Sequence, residues 1–194
     1  ALDVLPRDPE LALPDRPSVV VLPFETLVGP SGLDWLADGF VEDITTELSR
    51  FRDLFVVARN SAFVYRRMPR DLRAVARELG VRYVVEGSVR ARPDRVRVTA
   101  QLIDATQGGH VWAESFDHDL ADHFEAQAHV ARAIVTSLSP QIGQAEAERI
   151  RVLAPSDLNA HGLAQRGWEV ISSGEMASDP GPRDHAEALA RAAL

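Results

Sequence analysis

Three side chains of the kinds that serve in acid–base catalysis lie close together in the chain: Asp104, His110 and Glu114. A carboxylate can orient an imidazole for proton transfer, and a second carboxylate can act as general acid or base. The surrounding stretch, RVRVTAQLIDATQGGHVWAESF, alternates apolar and polar residues, which is typical of a β-hairpin with one wet face. On a strand His110 and Glu114 share a face, but nothing forces Asp104 near them across the turn at Gly108 and Gly109. We therefore interpret all three as solvated hairpin residues and predict no catalytic residue.

A second polar cluster, DHDLADH, has the composition of a metal site, because histidine and aspartate are common ligands. His118 and His123 stand at i and i+5, about 140° apart on a helix, whereas a helical two-histidine site uses i and i+4. Asp119 is more simply interpreted as the N-cap of the next helix. His129 is interpreted as a separate, wet or half-buried imidazole. The sequence thus predicts no metal ligand and no cofactor.

Four arginines surround a predicted turn at Pro93, and their alternation places them on outward faces of the hairpin. These residues are Arg90, Arg92, Arg95 and Arg97. Such a basic patch could hold a phosphate or dock an anionic partner. Charged side chains also protect strand edges from unwanted pairing. Both interpretations remain open.

The stretch ARNSAF places Arg59, Asn60 and Ser61 directly after a predicted buried strand. Open α/β sheets tend to hold ligands at the carboxyl ends of their strands. The three side chains could therefore form an anion-binding corner, although asparagine and serine are also common turn residues. This corner is where we expect a small ligand, if the domain binds one.

The composition excludes several kinds of chemistry. The chain has no cysteine, which excludes thiol nucleophiles, disulfides and cysteine-ligated zinc. All 21 basic residues are arginine, so there is no lysine for a phosphate loop or a Schiff base. A formal charge of -8 argues against nucleic-acid binding, which depends on neutralising phosphates. No apolar run approaches the roughly 20 residues of a membrane span, so membrane insertion is not expected.

The apolar pattern predicts an α/β domain. Short β-branched runs predict buried strands, and segments with a helical period lie between them. The first three predicted strands are SVVVLPF (18–24), LFVVA (54–58) and RYVVEGSVRAR (82–92). This β-α-β-α-β order favours parallel pairing with right-handed crossovers. Two further alternating runs add an antiparallel meander, so the whole predicts a mixed five-stranded sheet flanked by helices.

Three helical segments are predicted around this sheet, over residues 29–51, 71–80 and 117–153. Ser31 and Asp34 resemble a capping pair, and Asp71 and Gly80 are typical of an N-cap and a C-terminal stop. Pro140 is expected to kink or split the last helix. One face of that helix is predicted to be apolar, with Phe124, Val130, Ile134, Leu138, Ile142 and Ile150.

Several segments, taken together in their order along the chain, indicate a protein family more specifically than any single segment does. The segments are LPDRPSVVVLPFETL, WLADGFVEDITTELSRFRDLFVVARNSAF, VARELGVRYVVEGSVR, DRVRVTAQLIDATQGGHVWAESFD and DLADHFEAQ. Together they closely resemble the TolB amino-terminal-like domain of bacterial multidomain signalling proteins, over about residues 14–151. In that family the module follows a class III adenylate/guanylate cyclase domain or a winged-helix DNA-binding domain, and tetratricopeptide repeats come after it. The resemblance brings no catalytic residues with it.

The expected domain organisation follows from these patterns. Residues 1–17 are rich in proline and predict a linker, and residues 18–153 form the α/β domain. Residues 156–194 resemble part of one tetratricopeptide-like helical repeat, with Gly167, Ala186 and Ala190 at small packing positions.

The resemblance implies a non-catalytic sensor or scaffold module that joins an upstream output domain, a cyclase or a DNA-binding domain, to downstream repeats. Protein partners are expected at the C-terminal helical segment, together with a homodimer. The alternative is a small-ligand or nucleotide receptor that uses the corner at Arg59, Asn60 and Ser61. A third hypothesis, an enzyme in its own right, has the least support. The proline-rich leader favours a cytoplasmic protein; a membrane span preceding residue 1 would favour the periplasm.

Overall fold

The architecture was determined from a computed structural model, which describes residues 13–28, 34–66, 71–120, 123–153, 158 and 162–167. The strands are β1 (Ser18–Val21), β2 (Glu25–Val28), β3 (Phe55–Val56), β4 (Tyr83–Ala91), β5 (Arg95–Asp104) and β6 (Gly109–Asp119). The helices are α1 (Asp34–Leu48), α2 (Arg59–Phe63), α3 (Leu72–Leu79) and α4 (His123–Val152). None of the helices in these ranges is long and apolar enough to cross a membrane.

The strands form one mixed sheet, which confirms the predicted α/β class. Its order is β3-β1-β4-β5-β6, and β2 also pairs with β4. β1 is parallel to both β3 and β4, whereas β4, β5 and β6 form an antiparallel meander. The parallel and antiparallel parts therefore join at β4.

The sheet has six strands, one more than the sequence predicted. Pro23 follows β1, as expected, but the chain becomes extended again at Glu25 and pairs in parallel with β4. Glu25 lies opposite Ser88 and Thr26 lies opposite Val89. The four residues of β2 have mixed polarity and no period-two pattern, so the sequence did not indicate a strand. They are extended because β4, which is far away in the chain, pairs with them.

β1, the parallel strand that lies between β3 and β4, is buried on both faces. Every residue of β1 is buried. On one face Val20 and Val84 pack with Ala62 of α2 and with Val75 and Ala76 of α3. α1 contacts β1 and β2, and its buried side chains include Leu36, Phe40, Val41, Ile44 and Leu48. Continuous apolar runs are what a doubly covered parallel sheet requires.

The meander follows the predicted alternation. Val96, Val98, Ala100 and Leu102 of β5 are fully buried. The intervening residues on its other face, such as Arg97, are exposed or half-buried. One face of the meander therefore contributes to the core, and the other carries polar side chains.

The predicted limits of α3 are confirmed. The Asp71 side chain accepts a hydrogen bond from the Arg73 backbone N–H at 3.0 Å, and Gly80 ends the helix in the left-handed region with φ of 63°. The predicted capping pair of α1 includes Ser31, which lies outside the described residues.

α4 begins at His123, so the interpretation of Asp119 as its N-cap was wrong. β6 continues through Asp119, because that residue still pairs with Arg95 across the sheet. Val130, Ile134 and Leu138 are buried as predicted, whereas Phe124 is 76% exposed. Pro140 lies inside the helix, which continues past it.

The chain divides into two compact units, Ala1–Pro140 and Gln141–Leu194. In the second unit Ile150, Leu158 and Leu163 form a small buried cluster, and Arg166 donates to the carbonyl oxygen of Leu153 at 2.8 Å. Most of the predicted linker (1–17) and of the predicted repeat (156–194) lies outside the described residues, including Ala186 and Ala190.

Candidate functional site

Asp104 has a structural role in the turn that joins β5 to β6. Its Oδ1 accepts hydrogen bonds from Thr106 Oγ1 at 2.6 Å, Thr106 N at 2.8 Å and Gln107 N at 3.3 Å. Arg73 of α3 donates to the Gln107 carbonyl oxygen at 2.8 Å, which ties the turn to the helix. Gly108 has φ of 76°, which a residue with a Cβ rarely adopts. The Asp104 carboxylate, through its three hydrogen bonds, therefore stabilises the turn between β5 and β6.

The strand register separates His110 from Glu114. His110 lies opposite Ile103 and Glu114 lies opposite Ala100, with a register shift between Leu102 and Ile103. Ile103 and Ala100 belong to opposite faces of β5, and residues that pair across two strands share a face. The bulge thus places His110 and Glu114 on opposite faces, and four residues of strand span about 13 Å. The structure does not bring the three candidates together.

The cluster DHDLADH divides between strand and helix. Asp117 and Asp119 form ion pairs with arginines of β5. The ring of His118 lies 4.9 Å from that of His129, centroid to centroid, and His118 Nδ1 lies 2.8 Å from the Asp119 carbonyl oxygen. His129 is exposed, in agreement with its interpretation as a wet imidazole. It is not separate from the cluster, because its ring lies close to that of His118. Among the described residues, no group of three or more potential ligands is placed to hold a metal ion.

The four arginines at the turn near Pro93 share one face of the meander; we call Arg90, Arg92, Arg95 and Arg97 the arginine tip. Arg97 lies between Arg90 of β4 and Asp117 of β6. Its Nε and Nη2 donate to the two carboxylate oxygens of Asp117, both at 2.8 Å. Arg95 Nε lies 3.3 Å from Asp119 Oδ1.

The Arg97–Asp117 pair changes the titration of both groups. The hydrogen bonds from Arg97 hold the pKa of Asp117 below its ordinary value, with a smaller contribution from the charge of Arg95. The same hydrogen bonds raise the pKa of Arg97. Both groups therefore stay ionised over a wider pH range than isolated side chains would.

In the part of the chain that the structure describes, the other half of the arginine tip has no acidic partner. Arg90 and Arg92 are exposed, and neither forms an ion pair or side-chain hydrogen bond with any described residue. An open hollow of about 350 Å³ is lined by the four arginines together with Ala91, Val96 and Asp117. The tip thus combines two paired and two unpaired guanidinium groups around one depression.

The corner after β3 forms a short helix, α2 (Arg59–Phe63). Two residues separate its start from the end of β3 at Val56, and the sequence did not predict it as a helix. The Arg59 guanidinium lies over the Phe63 ring at 4.1 Å, and its Nε is 4.0 Å from Glu42 of α1. Asn60 and Ser61 are exposed. Arg59 therefore contacts α1 and an aromatic ring, while its two neighbours remain in solvent.

A second arginine, Arg66, makes a similar contact at the junction of α1 and α2. Arg66 pairs with Asp38 of α1, and its guanidinium lies 4.7 Å from the same Phe63 ring. Two arginines thus contact one phenylalanine and reach two carboxylates on one helix, an arrangement that combines cation–π attraction with ion pairing. The sequence did not indicate this contact, because its acidic partners lie in a separate helix.

Comparison with known proteins places these features in context. No protein-family model matches the chain. The chain is 46% identical over 164 residues to "Putative adenylate cyclase 3" of Rhizobium meliloti, a match that covers 84% of this chain and 28% of the relative. The chain therefore spans little more than a quarter of that protein's length.

Two solved structures are similar to this chain at low sequence identity and with TM-scores below 0.5. TolB from Acinetobacter baumannii is 20% identical with a TM-score of 0.43, over 66% of this chain and 30% of TolB. Lipoprotein GNA1162 from Neisseria meningitidis is 17% identical with a TM-score of 0.46, over 65% of this chain and 96% of the lipoprotein. The chain is thus similar to part of an adenylate cyclase-like protein in sequence, and TolB is among its structural neighbours.

Proposed function

We propose that this chain is a non-catalytic sensor or scaffold module of a longer, adenylate cyclase-like signalling protein. The observation that carries the proposal is the 46% identity to a segment that makes up 28% of "Putative adenylate cyclase 3". A segment of that size leaves most of the relative for other domains, including the one that would catalyse. In this proposal, protein partners bind the C-terminal helical segment, and the module links it to an output domain.

The side-chain contacts support a binding role over a catalytic one. Asp104, one of the two carboxylates considered beside His110 in the sequence, is engaged with its own turn. Across the middle of the open face, the hydroxyls of Thr99 and Ser115 hydrogen-bond to each other at 2.9 Å. Arg90 and Arg92 on the same face have no acidic partner among the described residues, which favours recognition of an anionic partner there.

The alternative proposal, a small-ligand receptor at Arg59, Asn60 and Ser61, has weaker support. Arg59 stacks on Phe63, and its Nε lies 4.0 Å from Glu42 without a hydrogen bond, so an incoming anion would lie beside an existing carboxylate. Homodimer formation and a cytoplasmic location belong to the main proposal as well.

The first experiment measures turnover by the chain alone. Purified protein is incubated with ATP or GTP and with Mg²⁺ or Mn²⁺, and cyclic nucleotide is quantified. We expect no product above a protein-free control, because catalysis would reside in another domain of the longer protein. Cyclic nucleotide formation by this chain would contradict the proposal.

A chimera provides the positive test. In the Rhizobium meliloti relative, the matched segment is replaced by this chain, and basal cyclase activity is compared with that of a chimera carrying Asp104→Asn, His110→Gln and Glu114→Gln. Asparagine can still accept the hydrogen bonds of the turn, so the folded state is retained. We expect equal activity in the two chimeras. Loss of activity in the substituted chimera, with an unchanged Tm, would assign catalysis to this segment.

A further inference from the structure

The charge of the arginine tip is unbalanced. Four guanidinium groups share one face of the meander, and the two carboxylates that reach them belong to Asp117 and Asp119. The tip therefore keeps a local excess of positive charge on a chain whose formal charge is -8. A local excess of opposite sign to the whole protein concentrates small counter-ions at that place.

The strand register adds a second observation. Arg90 lies directly opposite Arg97 across the β4–β5 ladder, and like charges in that position destabilise a sheet. Arg97 directs its two donors towards Asp117, so the carboxylate relieves one member of the pair. Arg90, and beside it Arg92, have no such partner among the described residues. An anion seated next to them would relieve the repulsion.

The shape of the tip fits a small ligand. The hollow between the arginines has a volume of about 350 Å³, near the lower end of small-molecule sites, which span roughly 300–1,000 Å³. A long polyanion such as nucleic acid would extend beyond the tip over a chain whose formal charge is -8, and at physiological salt repulsion acts over a Debye length of about 8 Å. A compact anion encounters mainly the tip.

Guanidinium chemistry then selects among compact anions. A phosphate group offers three oxygens and up to two charges, so it can accept hydrogen bonds from two separate guanidinium forks at once. A carboxylate has two oxygens in one plane and matches a single fork, as Asp117 does with Arg97. We propose that the arginine tip binds the phosphate group of a small phosphorylated molecule, with Arg90 and Arg92 as its main donors.

This site would be the ligand-sensing part of the proposed module, and in that respect it rests on the proposed function. The two can fail separately, because phosphate binding is measured on this chain without any cyclase assay. Cyclic nucleotide formation would overturn the proposed function whether or not phosphate binds.

The test titrates the whole chain with pyrophosphate by isothermal calorimetry, with inorganic phosphate and ATP as further probes. The variants are Arg90→Gln and Arg92→Gln, and the matched control is Arg52→Gln, which removes the same charge at an exposed position elsewhere. We expect saturable pyrophosphate binding that weakens roughly tenfold in each tip variant, since a charge-assisted hydrogen bond contributes about that factor. The control should change Kd less than twofold.

The probes identify the class of ligand. Binding of ATP tighter than that of pyrophosphate would specify a nucleotide as the source of the phosphate, and equal binding would specify a polyphosphate alone. No pyrophosphate binding, citrate binding as tightly as pyrophosphate, or the same loss in Arg52→Gln would each overturn the proposal. A Tm measured for every variant without ligand separates lost binding from lost folding.

Discussion

The parallel half of the sheet and the antiparallel meander differ in how many of their faces are buried. In the parallel half, neighbouring residues of β1 such as Val20 and Val21 are both buried, because layers cover both faces. In the meander, Leu102 is fully buried, while its neighbour Gln101 is only half-buried on the polar face. Charged and hydroxyl side chains can therefore collect on the meander without forming a catalytic site. Polar residues that are dense in sequence indicate function only when the fold makes them converge.

The largest expected difference lies within β5. Leu102→Ala should lower the free energy of unfolding by about 2–5 kcal/mol, because it leaves a cavity in the core. Gln101→Ala, its matched neighbour, should change it by no more than about 0.5 kcal/mol. Urea denaturation of both variants measures the contrast. Equal effects would show that both faces of the meander are covered.

In the parallel half the corresponding contrast should vanish. Val20→Ala and Val21→Ala should each lower the free energy of unfolding by about 1–3 kcal/mol, because each removes buried methyl groups from a packed face. The same denaturation experiment applies. A loss confined to one of the two valines would mean that one face of β1 is open to solvent.

The turn of the meander gives a smaller effect. Asp104→Ala should lower the free energy of unfolding by about 1 kcal/mol, since several hydrogen bonds to a partly exposed carboxylate are lost. Asp104→Asn should retain most of the stability, and His110→Ala should stay within about 0.5 kcal/mol of the parent. If Asp104→Ala proved neutral, the turn would not depend on this side chain.

Tyr65, which packs against the parallel half of the sheet, has a raised pKa, and burial is the main cause of the shift. Burial, followed by the hydrogen bond that Tyr65 donates to Glu78 at 2.7 Å, raises the pKa of Tyr65 from 10.0 to about 12. Because the neutral phenol is favoured in the folded state, its contribution to stability is complete below pH 10 and is lost between pH 10 and about 12. Ultraviolet titration should show this late phenolate, and Tyr65→Phe should remove it. Ionisation near pH 10 would contradict the burial of Tyr65 together with its contact with Glu78.

The smallest predicted effect is on the pKa of Asp117 in the meander, which is shifted by an ion-pair partner and not by burial. Hydrogen bonds from Arg97 lower the pKa of Asp117 from its ordinary 3.8. The stability that this pair contributes is present above pH 3.8 and is lost as the pH falls through the depressed pKa. An NMR titration should show the shift and its loss in Arg97→Gln. An unchanged Asp117 pKa in that variant would argue against the ion pair.

Local features of the fold could be predicted from the sequence because their causes act within a few residues. The alternation of β5 predicted which of its side chains are buried, and Asp71 and Gly80 predicted the ends of α3. The arginines of the tip were predicted to lie on outward faces of the hairpin for the same reason. Its unequal pairing was not predicted, because Asp117 approaches Arg97 only after β6 has folded back on β5.

Features set by contacts between distant segments required the tertiary structure. β2 is a strand because β4 lies beside it, and His110 and Glu114 lie on opposite faces because of one extra residue in β6. Arg59 was predicted from sequence as a ligand-binding residue, and only the fold shows that it also packs on Phe63 and lies near Glu42 of a separate helix. The sequence by itself determined the periodicities, the caps and the charges available. The register between strands and the placement of helices decided which of those charges meet, since a side chain's partner is fixed by packing across the fold and not by its neighbours in the chain.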